Sequence, residues 1–149
     1  MALITRPAVD VYGLGIWLPS IFFRKIGEEF SWDTFSLGGK LPGDAQANIL
    51  NRQNFVANIE ENVKNLNEEL PVNLRYDEAQ LSFIIKLIQA CTNPNPLMRP
   101  TAAQACALLE AFDAETLDFD AAFQLAKEDR PSEEIPEATL EVYRKYNII

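Results

Sequence analysis

No histidine occurs among the 149 residues, and there are only two cysteines, Cys91 and Cys106. A histidine-based catalytic triad and a histidine-containing zinc site are therefore excluded. Two thiols without histidine form neither a metal set nor a disulfide framework. They are read as buried residues of a chain in a reducing, cytoplasmic compartment. Glycine is scarce, at six residues, and its placement provides no phosphate cradle. Gly13-Leu14-Gly15 lies inside an apolar helical run. Gly38-Gly39-Lys40-Leu41-Pro42-Gly43 lacks both the spacing and the hydroxyl residue of a phosphate-binding loop. No apolar stretch reaches the ~20 residues that a bilayer span requires. The best candidate, Val11 to Phe23, is shorter and contains Pro19. The N-terminus has no basic region followed by an apolar stretch and a small-residue cleavage site, so no secretory signal is expected.

Bases are outnumbered, 13 against 22 acids, for a net charge of -9. The imbalance is local. Residues 110–141 hold eleven acids against Lys127 and Arg130, which accounts for the whole of the -9. A nucleic-acid surface needs clustered Lys and Arg, and anionic membranes need the same, so neither is expected as a partner. A basic protein could be steered towards the acidic segment. The plainer expectation is a solvated, partly mobile C-terminal extension.

What is present is helical. With 48% hydrophobic residues, the chain can build a core. Residues 8–25 are apolar on nearly every face, which predicts a helix buried all round. Asp10 stands near its start, where a carboxylate suits the positive end of the helix dipole. Pro19 is expected to kink or shorten it. Residues 27–48 contain four glycines and Pro42 and are read as a long loop, pinned by Phe30, Trp32, Phe35 and Leu37. Apolar positions at three- and four-residue spacing predict one helix over residues 45–66. Asp77 and Glu78 open the next helix, which ends near Cys91. Thr101 is a suitable N-cap for a helix over residues 102–112. Residues 119–125 and 138–146 read as two short helices. No segment alternates like a strand, so the fold class is all-α.

The most informative stretch is Asn93-Pro94-Asn95-Pro96-Leu97-Met98-Arg99-Pro100-Thr101, between two apolar helices. An arginine held in such a turn is expected to cap carbonyls or to pair with a carboxylate. The segment resembles the end of the large lobe of eukaryotic-type protein kinases, where an apolar helix leads into P-x-x-R-P-T-A. Val9-Asp10-Val11-Tyr12-Gly13-Leu14-Gly15-Ile16 likewise resembles the D-V-W/Y-S-L-G that opens the central helix of that lobe. Gly13 and Tyr12 are mild departures from it, and Pro19 is a stronger one. The resemblance implies a helical bundle over residues 1–112, followed by an acidic helical extension over 113–149. It implies structural roles for Asp10, which would tie the central helix to a catalytic loop, for Gly15, and for Arg99, whose partner would be the glutamate of an A-P-E motif.

The chemistry of that family requires residues this chain lacks. There is no H-R-D, no Asp-Phe-Gly and no A-P-E. The position of A-P-E would fall at or before Met1. No catalytic residue, no cofactor and no metal site is therefore assigned, and the chain by itself is not expected to be an enzyme. The expectation is a non-catalytic, kinase-lobe-like helical module, in effect a pseudokinase remnant, acting through protein–protein contacts. One alternative is the C-terminal part of a split kinase completed by another polypeptide. A third reading is an unrelated helical protein. Met1-Ala2, read as an initiator, favours an independent chain. Without the catalytic loop to cover it, the first helix should present Ile16, Trp17, Phe22 and Phe23 to a protein partner or a second copy. Arg99, deprived of its glutamate, should turn to helix-end carbonyls near Cys91, to Asp10 or to a C-terminal carboxylate.

Overall fold

A computed structural model describes residues 2–23 and 53–149, with side chains described for 11–23 and 53–149. The helices are α1 (Ala2–Phe22), α2 (Ile59–Glu69), α3 (Glu78–Cys91), α4 (Ala102–Asp113), α5 (Phe119–Asp129) and α6 (Glu137–Lys145). Single 3-10 turns at Val72–Leu74 and Pro96–Met98 join them. No strand occurs among the described residues, so the chain is all-α. Among those residues no helix is long and apolar enough to cross a membrane. The predicted loop over 27–48, with its aromatic anchors and the Gly38–Gly43 run, lies outside the described residues.

Helix α1 runs through Pro19 and closes with Phe23 N–H donating to the Pro19 carbonyl at 3.0 Å. The expected shortening at Pro19 does not occur. The bond that proline removes is the one to the Gly15 carbonyl, and only the closing turn lies beyond it. Val11, Ile16, Leu18, Pro19 and Ser20 are buried, but Gly13 and Ile21 are exposed, so the helix is not buried all round as its sequence predicts.

The chain divides into two compact units, Gly15–Gln89 and Met1–Leu14 with Ala90–Ile149. The boundary drawn from sequence at residue 112 falls inside the second of these, because residues beyond it pack on α4.

In the Gly15–Gln89 unit, the single helix predicted over 45–66 is interrupted. Residues 53–57 are helical, Asn58 breaks the run, and α2 starts afresh with Asn58 Oδ1 accepting the Glu61 N–H at 3.4 Å. An asparagine that bonds its own backbone competes with the helix and favours a cap. Ile59, Val63, Asn67 and Leu70 bury one stripe. Arg75 then satisfies the orphan carbonyls at the end of α2, its Nε donating to Leu70 at 2.9 Å and its Nη2 to Glu68 at 2.8 Å. Buried Asn67 accepts the Tyr76 N–H at 3.0 Å and donates to the Tyr76 carbonyl at 3.3 Å. The Tyr76 hydroxyl donates to the Phe22 carbonyl at 2.7 Å, with its ring edge-on to Phe22 and Phe23. Asp77 and Gln80 cap α3 reciprocally, at 2.8 and 3.0 Å. Phe83, Ile84, Leu87 and Ile88 of α3 are almost completely buried.

The other unit is built on α4 and α5, which pack together. Thr101 and Gln104 form a capping box. Buried Gln104 also donates its amide hydrogens to the Arg130 carbonyl at 2.8 Å and to Ser132 Oγ at 3.1 Å, joining the start of α4 to the end of α5. Helix α4 ends in a Schellman motif, with Thr116 N–H donating to Ala111 and Glu115 N–H to Phe112. Its left-handed residue is Glu115, at φ 58°. Helix α6 ends in the same way around Asn147, at φ 54°. Phe119, Ala122 and Ala126 of α5 and Thr139 and Tyr143 of α6 are buried. Residues 113–149, read from sequence as a solvated extension, therefore belong to a packed unit.

Candidate functional site

The turn before α4 is fixed by a relay of short-range bonds. Asn93 Oδ1 accepts from Asn95 N–H and Asn95 Oδ1 from Leu97 N–H, each at 3.0 Å. Pro96 and Pro100 are buried, and Arg99 between them is half-buried. Arg99 Nε donates to the Asn93 carbonyl at 2.8 Å, and its guanidinium carbon lies 4.9 Å from the centre of the Tyr12 ring. One expected acceptor class, carbonyls just beyond the end of α3, is thus used. The Tyr12 ring was not anticipated. The side chain of Asp10 lies outside the described residues. Gly15 is buried within α1.

Burial pulls the Arg99 guanidinium below its usual value, while Tyr12, Tyr143 and Cys91 act in the opposite direction. It still stays charged at any physiological pH. Burial pushes the Cys91 thiol up to about 12, against a smaller downward pull from Arg99. A neutral thiol in an apolar site is neither a nucleophile nor a metal ligand. This cluster is a brace. Cys106, read as buried, is exposed, and its Sγ lies 3.6 Å from Glu110 Oε1. On α4 the buried positions are Gln104, Ala105 and Leu108, and residue 106 falls away from that face.

Of the four apolar residues expected to face a partner on α1, Ile16 and Phe23 are instead buried by this chain itself. Trp17 and Phe22 are half-buried, and Ile21, not singled out from sequence, is 48% exposed. An all-round apolar helix gives no periodicity from which to pick its open face. A lone exposed isoleucine is also ordinary for a folded protein.

The acidic segment is a different case. All eleven carboxylates between Glu110 and Glu141 are exposed, and they stand on or beside α4, α5 and α6. Arg130 pairs with Glu110 at 3.3 Å and Arg144 with Glu137 at 2.7 Å. Lys127, which could have neutralised α5, rests its ammonium 4.0 Å from the centre of the Phe123 ring. Among the described residues Asp129, Glu133, Glu134 and Glu141 have no basic partner. Leu125, 57% exposed, shares the outer side of α5 with Glu128 and Asp129. No group of three or more acidic or thiol side chains among the described residues could hold a metal ion.

No family model matches the chain, and neither a curated protein nor a solved structure is significantly similar to it.

Proposed function

We propose that the chain is a non-catalytic helical module, similar in design to the helical part of a protein kinase large lobe, that works by binding a basic surface of another protein. One observation carries this reading: Asp129 and Glu141, which lack a basic partner among the described residues, are displayed on the packed helices α5 and α6, and Glu133 and Glu134 on the short segment that joins them, not along a free tail. Fixed charges can be matched by a partner at lower ordering cost than a mobile acidic tail allows. Arg99 and Cys91 act as braces and need no substrate to explain them.

The test uses the full chain and a labelled helical peptide of leucine and lysine, about twenty residues long so that it can form a stable helix. Fluorescence anisotropy should report saturable binding that weakens as salt screens the charges. Glu128→Lys with Asp129→Lys should reduce affinity about tenfold, a difference of ~1.4 kcal/mol. Glu68→Lys with Glu69→Lys, which makes the same change in net charge on α2, should leave it nearly unchanged. Equal losses in both double variants would mean bulk attraction and no site. Saturable binding of magnesium-ATP at micromolar concentration would replace this reading with that of a kinase fragment completed by another polypeptide.

A further inference from the structure

We draw no further inference here: the strongest candidate, the exposed apolar knuckle of Leu97 and Met98 on the rigid turn before Arg99, is an unpartnered patch, and nothing in the structure shows what covers it.

Discussion

Arg99 holds a charge where water is only half available, and two of its contacts among the described residues offset that cost. A charge-assisted bond to a carbonyl contributes ~1.5–3 kcal/mol, and a cation over an aromatic ring ~0.5–2 kcal/mol. Arg99→Ala should therefore lower stability by ~2–4 kcal/mol, read as a fall in the urea midpoint at unchanged slope. Arg99→Lys should recover part of the loss, because an ammonium can sit over Tyr12 but cannot reproduce the planar fork. A midpoint that does not move in Arg99→Ala would remove the brace. Cys91 provides a second test at this scale. Its thiol ionises in the unfolded chain near 9.0 but in the folded chain only near 12. The unfolded state therefore releases a proton that the folded state keeps. The stabilising effect is complete below pH 9 and is lost as pH rises towards 12, by up to ~1.4 kcal/mol for each pH unit in that window. Raised Tyr76, also shifted by burial, adds a loss in the same direction at the alkaline end. Cys91→Ala should show a shallower alkaline decline than the parent. Below that window a thiol reagent should modify exposed Cys106 readily and Cys91 only after unfolding.

Helix ends carry much of the local specification, and two of them offer clean substitutions. Glu115 occupies a left-handed position that glycine takes without strain and that costs other residues roughly 1–2 kcal/mol. Glu115→Gly should raise the melting temperature, with the gain trimmed by the added freedom of the unfolded chain. At Asn147 the same exchange should gain less, since asparagine tolerates that conformation. Thr139 is buried in the first turns of α6, and its hydroxyl has no hydrogen-bond partner. Thr139→Val keeps the shape and removes an unsatisfied polar group, so an increase of ~1 kcal/mol is expected by chemical denaturation. Sequence revealed these elements unevenly. Thr101 before Gln104, and Asp77 before Gln80, carry their caps in plain view because the bonding partner is three residues away. The C-terminal motifs were not legible, because neither Glu115 nor Asn147 is the glycine that normally announces them. Asn58 was missed for a related reason: it interrupts an apolar rhythm that continues on both sides of it. Of the candidate site, the half-buried arginine and its carbonyl acceptor could be anticipated from the chain. The Tyr12 ring and the Tyr76 bond to Phe22 could not, since each joins residues distant in sequence through contacts no local pattern encodes.

For the whole molecule, the balance of charge matters more than any single pair. The exposed ion pairs each contribute ~0–1 kcal/mol and leave most of the negative surface uncompensated. Self-repulsion among those carboxylates should make the chain more stable in moderate salt than in very dilute buffer, the opposite of what a salt-bridged surface would show. A melting temperature that falls on adding salt would argue that the carboxylates are paired after all. Binding to a basic partner should show the reverse dependence, weakening with salt as the attraction is screened.

Residues 1–14 and 90–149 belong to one compact unit, while the chain between them forms the other. This arrangement has a consequence for biosynthesis. A ribosome releases Tyr12 long before Arg99, so the cation–aromatic contact can form only after the intervening unit has been made. Until then the leading half of α1 emerges without its final neighbours. The intervening residues can meanwhile fold against the trailing half, through Tyr76 and Phe22. Synthesis rate and holding by chaperones, rather than equilibrium stability alone, should then decide how much of the Arg99→Ala protein reaches the folded state in a cell.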